Sequence, residues 1–190
     1  MAEIHDGRPA LPLTSDVLGQ MSALTVITPI ARGAEPGLAA YLAALRESPS
    51  PLARLPRTHF GRWVIVPQLR KDASQPKPED LGGSYLLFTS TFDGPADTYL
   101  AELCRELATE AREIWGHCIG CPQGGGEGLK RYLLHNRIPT GLFFTAYPDA
   151  TVKEVKDCLE LRDRTIAFAV RAQGMDPAEL QDAFVKEFAP

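Results

Sequence analysis

The stretch SYLLFTSTF, residues 84–92, predicts a β-strand that leads through a turn into a helix. It is rich in aromatic and β-branched residues and short enough for one strand. The turn residues Asp93, Gly94 and Pro95 follow, and a proline at this position suits the start of a helix. Apolar residues then recur every three or four positions, which predicts one amphipathic helix ending near Gly116. They are Tyr99, Leu100, Leu103, Leu107, Ala111 and Ile114.

Three further stretches predict strands. They are residues 22–30 (SALTVITPI), 58–66 (THFGRWVIV) and 141–147 (GLFFTAY). A helix beginning near Pro36 is predicted between the first two strands, because apolar residues follow it at helical spacing. The resulting order β-α-β-β-α-β is the ferredoxin-like arrangement, an α+β fold with an antiparallel four-stranded sheet. Residues 152–172 and 177–188 predict two additional C-terminal helices, the second capped by Asp176.

This order of elements predicts a simple domain organisation. Residues 1–20 form an N-terminal arm, and residues 21–190 form a single ferredoxin-like domain. Within that domain, residues 116–139 are an insertion and residues 151–189 hold the C-terminal helices. Residues 67–83 contain three prolines and predict an exposed loop between two strands.

Composition and charge exclude several classes of protein. Of the 190 residues, 44% are hydrophobic and 23% charged, and the net charge is -4. The acidic balance argues against a nucleic-acid-binding surface. No apolar run reaches the roughly 18 residues that a membrane helix needs, and the N-terminus lacks the apolar block of a signal peptide. Four cysteines without a secretion signal predict reduced thiols in the cytoplasm.

The densest group of reactive side chains is His117, Cys118 and Cys121, which follow Trp115 at the predicted end of a helix. Three ligands within one loop could bind zinc, although no fourth ligand stands nearby in the sequence. The cysteines could be a redox pair, although the dipole at a helix end disfavours a thiolate. His117 could be the axial ligand of a haem iron, with Trp115 lining the pocket. It could equally bond to the last carbonyl groups of the helix.

The second predicted strand carries the other group of candidate side chains. Alternation along a strand puts His59, Gly61 and Trp63 on one face, and Phe60 and Arg62 on the other. A histidine and a tryptophan separated by a glycine leave room for a planar ligand. The structural alternative is that His59 is hydrogen-bonded at the strand end and that Gly61 marks a bulge.

The element order, the aromatic strands and an apolar second sheet face resemble the dimeric α+β-barrel superfamily over residues 22–147. In that superfamily two such sheets pack into a barrel. Its members include cofactor-free monooxygenases, haem-degrading enzymes, chlorite dismutases and dye-decolorising peroxidases. In the haem-degrading branch the axial histidine lies on the second helix, and His117 falls at the end of that predicted helix here. Phe92, Asp93 and Gly94 match a fragment of the acidic, glycine-flanked motif of the peroxidase branch.

These observations lead to the hypothesis of an oxidoreductase of peroxidase or monooxygenase type. It would hold haem or another planar aromatic ligand between the sheet and the helices. His117 is the predicted metal ligand, His59 and Arg62 are further catalytic candidates, and Trp63 and Trp115 would line the pocket with the histidines.

Two alternatives to this hypothesis stay open. One is a cofactor-free monooxygenase in which His59 or His117 moves a proton of a phenolic substrate. The other is a non-catalytic binding or assembly module. The predicted partners are a small aromatic ligand and a second copy of the chain, which would join through the open sheet face, with no nucleic acid and no membrane. The C-terminal helices could instead cover that face and leave a monomer.

Overall fold

The computed structural model describes residues 16–67 and 82–189, so most of the predicted arm and of the loop at 67–83 lies outside the described residues. The chain divides into two compact units, with the boundary between Val152 and Lys153. The strands are β1 (Val17–Leu18), β2 (Met21–Pro29), β3 (Thr58–Val66), β4 (Tyr85–Asp93) and β5 (Arg137–Ile138). The α-helices are α1 (Glu35–Leu45), α2 (Ala96–Glu106), α3 (Ala108–Trp115), α4 (Gly126–His135), α5 (Val152–Arg171) and α6 (Pro177–Phe188), and a short 3-10 helix spans Pro51–Arg54.

The predicted α+β, ferredoxin-like class is confirmed. All strand pairs are antiparallel, and the sheet has the order β1-β2-β4-β3, with β5 also on the outer edge of β2. The three long strands occupy the predicted stretches to within a residue or two. β4 lies between β2 and β3 and pairs with both along its length. β4 is therefore the central one of the three long strands.

The fourth strand predicted at residues 141–147 is wrong. β1 and β5 pair with the outer edge of β2, β1 at Met21 and Ser22, and β5 at Thr25 and Val26. A strand edge accepts one partner at each position, so this part of the edge has no room for a further strand. The aromatic and apolar residues of 141–147 are instead largely exposed, with Leu142 at 87%, Phe144 at 80% and Tyr147 at 72%.

The single helix predicted after β4 is also corrected, because the chain turns at Leu107 between α2 and α3. Leu107 has φ -110° and ψ 30°, outside the helical region. Its N–H still donates to Leu103 and its carbonyl accepts from Ala111, so the break is a kink and not a loop. The kink keeps Leu103, Leu107, Ala111 and Ile114 fully buried on the side of the sheet.

The core lies between one face of the sheet and helices α1–α4. Its centre is a group of three aromatic rings. Phe88 of β4 stacks on Trp63 of β3 at 5.2 Å between ring centroids, and the ring of Trp115 meets it edge-on at 5.4 Å. Aromatic pairs of this kind contribute about 0.5–1.5 kcal/mol beyond the area that they bury. The C-terminus of α3 is thereby attached to the middle of the sheet.

The second compact unit consists of α5 beyond its first residue, followed by α6. The rings of Phe168, Phe184 and Phe188 pack together at 5.0–5.8 Å, and Glu187 pairs with Arg171 at 2.9 Å. The predicted cap of α6 is confirmed, since the Asp176 side chain accepts two backbone N–H bonds. Among residues 16–67 and 82–189, no helix combines the length and the apolar character that crossing a membrane requires.

The first prediction compares two aromatic residues that sequence alone does not distinguish. Trp115→Ala should lower the free energy of unfolding by about 3–5 kcal/mol, because the side chain is completely buried against two aromatic rings. Phe144→Ala should change it by less than about 0.5 kcal/mol, because that ring is exposed. Urea unfolding of both variants measures the difference. A large loss in Phe144→Ala would mean that residues 141–147 are part of the core after all.

Candidate functional site

The sheet has a second face that α1–α4 do not cover, here called the open face. The register assigns its side chains to four rows that run across β2, β4 and β3. Two rows are apolar and two are mixed. The apolar rows are Ile27–Leu87–Val64 and Pro29–Tyr85–Val66, and the mixed rows are Ala23–Thr91–Phe60 and Thr25–Thr89–Arg62. The open face is therefore mixed in polarity at the end with Phe60 and Arg62 and apolar at the end with Val64 and Val66.

A depression of about 410 Å³ lies over the mixed rows. Phe60 borders it with a ring that is 78% exposed, and Arg62 borders it with an exposed guanidinium group. The Arg62 Nε–H donates to the Thr89 hydroxyl at 3.1 Å, which orients the group over the sheet. Thr25 and Thr91 line the same depression.

This arrangement combines an aromatic surface with a positive charge. Among the described residues Arg62 forms no ion pair, so its charge is not neutralised by a carboxylate of the described chain. A guanidinium group binds a carboxylate or phosphate through paired N–H donors. The threonine hydroxyls can donate or accept further hydrogen bonds. Chemically, the depression suits a small planar anion.

The structure does not place His59 with Trp63 on one face, as the alternation predicted. The register shifts between Thr58 and Phe60, so His59 is the extra residue of a bulge. A bulge leaves its extra residue out of the ladder and redirects its side chain. The structural alternative weighed for this residue, a histidine hydrogen-bonded at the strand end, matches the geometry. The bulge itself falls at His59 and not at Gly61.

The partner of His59 is Asp93, which the sequence identified only as a turn residue. Nε2 of His59 and Oδ1 of Asp93 are hydrogen-bonded at 2.7 Å, and the two side chains are only 9% and 15% exposed. The other carboxylate oxygen of Asp93 accepts the N–H of Val152, the first residue of α5, at 2.8 Å. In the sequence, Asp93 is marked only by its position directly after a predicted strand and before a Gly-Pro pair. Nothing in the neighbouring residues indicated that it would bond to a histidine 34 residues away.

Gly61 does not open the hollow that was predicted for a planar ligand. A Cβ atom at this position would come within 2.6 Å of the Leu52 side chain, which already occupies the space. Ser90, opposite Gly61 in the register, is buried and hydrogen-bonded to the Tyr99 hydroxyl at 2.8 Å. Burial raises the pKa of Tyr99, so the phenol stays protonated in this network.

His117 lies at the end of α3, as predicted, but its ring already has neighbours on both sides. Nδ1 is 2.7 Å from the carbonyl oxygen of Glu113, four residues earlier, and donates to it. Nε2 would be 3.1 Å from a Cβ atom at Gly37, so the ring lies against the backbone of α1. This geometry matches the alternative in which the histidine bonds to a helix carbonyl.

The two histidines lie at opposite ends of the sheet. His59 is next to Asp93, which pairs with Met21 at the start of β2, whereas the carbonyl of His117 accepts the N–H of Ala31 beyond its end. A strand of nine residues spans roughly 25–30 Å. The expectation that both histidines border one cavity is therefore wrong.

The space between the middle of the sheet and α3 does not fit a haem. Trp63 and Trp115, predicted to line the pocket, pack on each other and on Phe88. Trp63 is partly buried and lines a depression of about 460 Å³ beside α1, together with Leu42 and Leu45, whereas Trp115 belongs to the core. Trp115 is fully buried. A planar macrocycle at this place would have to displace these rings. Haem binding by the protein stays a prediction, but its location between sheet and helices is not supported by the residues found there.

The cysteines of the same segment are neutral thiols. Cys118 is buried, and its sulfur accepts a hydrogen bond from the Thr28 hydroxyl at 3.2 Å. Burial raises the pKa of the Cys118 thiol to about 11 and also raises that of Cys121. Among residues 16–67 and 82–189, no three histidine, cysteine or acidic side chains form a group that could hold a metal ion. The zinc alternative therefore has no ligand set in the described chain.

Comparisons with protein-family models, with curated proteins and with solved structures gave no match. The resemblance to the dimeric α+β-barrel superfamily thus stays a prediction that rests on element order. Any function has to be argued from the residues themselves.

The second prediction concerns the bond between His59 and Asp93. Asp93→Ala should lower the free energy of unfolding by about 1–3 kcal/mol, because it leaves the His59 ring and the Val152 N–H without a partner in a partly buried place. Glu47→Ala is the control, since it removes a carboxylate from an exposed position. Urea unfolding compares the two. Equal and small losses would show that the bond contributes nothing to stability.

Proposed function

We propose that the protein binds a small organic acid with a planar, aromatic body in the open-face depression. The observation that carries this proposal is the pairing of an exposed Phe60 ring with an Arg62 guanidinium that has no ion-pair partner among the described residues. Aromatic lining together with a few oriented polar or charged groups in a depression is typical of small-molecule sites. The proposed ligand is still planar and aromatic, as predicted from the sequence. Its proposed site lies on the open face of the sheet and not on the face covered by the helices.

The parts of the ligand correspond to different residues. The Phe60 ring offers a flat apolar surface of the kind on which another aromatic ring stacks. The anionic group lies at Arg62, which the bond to Thr89 holds in place. Thr25 and Thr91 offer hydroxyl groups to the remaining polar atoms of the ligand. Because the site is open to water, the ion pair contributes only about 1 kcal/mol, and the affinity is modest.

The third prediction uses 2-naphthoate as the probe and 2-naphthylmethanol, which has the same rings without the charge, as its matched control. NMR titration should show 2-naphthoate shifting the amide signals of Phe60, Arg62 and Thr89. Arg62→Gln should weaken 2-naphthoate roughly fivefold, the equivalent of about 1 kcal/mol, and should leave 2-naphthylmethanol unaffected.

Arg112→Gln serves as the protein control for this titration, because Arg112 is an exposed arginine of α3. It should leave both affinities unchanged. The proposal fails if the charged and uncharged probes bind alike. It fails equally if both arginine variants weaken 2-naphthoate to the same extent.

A homodimer through the open face is part of the same proposal. The apolar rows Ile27–Leu87–Val64 and Pro29–Tyr85–Val66 lie beside the depression, so a second copy could cover them and leave the ligand site accessible from its edge. Contact with a second sheet removes these side chains from water, which favours association.

The fourth prediction is a solution mass twice the 20.7 kDa of one chain in light scattering at micromolar concentration. Val64→Lys should restore the monomer, because it places a charge in an apolar row. Ile119→Lys changes an exposed apolar residue of the turn after α3 and should leave the dimer intact. A wild-type mass of one chain would remove this part of the proposal.

We propose as a second function the cofactor-free monooxygenase, because the structure gives His59 an oriented imidazole. A carboxylate bonded to one ring nitrogen fixes the orientation and the tautomer of the ring. His59 also lines a smaller depression of about 300 Å³ that shares Phe60 and Gly61 with the open-face depression. A phenolic substrate there could transfer its proton to the ring.

The fifth prediction separates this function from haem chemistry. With the anthrone dithranol as substrate, the protein should consume oxygen without added cofactor, and His59→Gln should slow this by about 100-fold or more. His135→Gln, a change at an exposed histidine of α4, should keep the full rate. No consumption by the wild-type protein would end the second proposal. A shift of the hemin Soret band in the presence of the protein that is lost in His117→Ala would favour the haem-dependent enzyme instead.

A further inference from the structure

The segment between α3 and α4 contains a tight turn with a cysteine at each end. The turn is Cys118-Ile119-Gly120-Cys121, in which the Cys121 N–H donates to the Cys118 carbonyl at 3.4 Å. Gly120 has φ 76°, a value that glycine adopts without strain at the third position of a turn. The first and last Cα atoms of such a turn lie within about 7 Å of each other, which is the range that a disulfide spans.

The turn is held on several sides, so this spacing is a fixed feature of the fold. The Cys118 N–H donates to Trp115 and the Ile119 N–H donates to Pro29, both at 2.8 Å. The Tyr132 hydroxyl of α4 donates to the Ile119 carbonyl at 2.9 Å. The backbone spacing of the two cysteines therefore meets one requirement of a disulfide. Both are free thiols in the structure.

The two cysteines differ in their access to solvent. Cys118 is 5% exposed and packs in the core, while Cys121 is only half-buried. A dissolved oxidant therefore reaches the sulfur of Cys121 first. Burial also disfavours both thiolates, which makes the reaction slow at neutral pH but favours the oxidised pair once it has formed.

We propose that Cys118 and Cys121 are a redox-modification site that closes into an intramolecular disulfide on reaction with a small disulfide such as oxidised glutathione. The Cys121 thiolate attacks the glutathione disulfide, forms a mixed disulfide and releases one glutathione thiolate. Cys118 then loses its proton, attacks the Cys121 sulfur and releases the second glutathione. Two protein thiols are oxidised by two electrons, and one glutathione disulfide is reduced to two thiols. Reduced glutathione in excess reverses both steps.

This site is independent of the open-face depression. Cys118 lies opposite Ile30, directly after β2, in a bridge that is bonded through its neighbours His117 and Ile119, whereas the depression lies over rows at the other end of the sheet. Oxidation closes a ring at the corner where α3, α4 and β2 meet. Failure of one proposal therefore leaves the other unaffected.

The test treats the folded Cys158→Ser protein with oxidised glutathione, since Cys158 on α5 is exposed and would react on its own. Intact mass should fall by two hydrogen atoms, and peptide mapping should join Cys118 to Cys121. In the Cys118→Ala variant the reaction should stop at one glutathione on Cys121. In the Cys121→Ala variant Cys118 should stay largely unmodified over the same time, because it is buried. Cys104→Ala should form the disulfide as the parent does.

Circular dichroism shows whether each variant is folded, and the mapping of the parent protein does not depend on any variant. Two separate glutathione adducts in the parent, or no change in mass, would overturn the proposal. An equally fast adduct on Cys118 in a folded Cys121→Ala protein would overturn the order of the two steps.

Discussion

The alternation of side chains along β4 is the constraint on which the other elements depend. β4 lies between the two other long strands, so its register assigns the faces of all three. Leu86, Phe88 and Phe92 are fully buried and form the floor under the helices, with Trp115 packed on Phe88. Leu87, Thr89 and Thr91, which alternate with these residues and with the buried Ser90, point to the open face. A shift of the register by one residue would exchange these two sets, exposing the aromatic core and burying threonines.

β4 ends at Asp93, where one carboxylate joins three parts of the chain. The carboxylate bonds to the bulged His59 of β3 and to the first N–H of α5. The backbone N–H of Asp93 donates to the carbonyl of Arg57. A carboxylate with both oxygens bonded is satisfied in a partly buried place, as buried polar groups must be. The same bond that ties the end of the sheet also orients the imidazole of His59. Asp93 therefore both stabilises the end of the sheet and positions a candidate catalytic residue.

The side chains that could react or bind a ligand lie at the two ends of the sheet and do not form one site. Phe60 and Arg62, with His59 nearby, occupy one end and suit a planar acid or a phenol. His117 and the two cysteines of the turn occupy the other, where the histidine is bonded to a helix carbonyl and the thiols are protonated. The rings of Trp63, Phe88 and Trp115 fill the layer between them. The middle of the core therefore has no space for a ligand, whereas the uncovered face has the depression at Phe60 and Arg62.

Periodicity along the chain was enough to locate the long strands, the helix before β3, the two C-terminal helices and the Asp176 cap, because each depends on neighbours a few residues apart. It also placed Phe60 and Arg62 on one face of β3. Residues 141–147 have the composition of a strand. Only the tertiary structure shows that they do not form one, since β1 and β5 already pair with the edge of β2. The bulge at His59, its bond to Asp93 and the separation of the two histidines were likewise decided by contacts across the sheet. Local sequence does not specify which distant residue contacts a given side chain. The placement of the candidate chemical groups was therefore determined by contacts across the sheet.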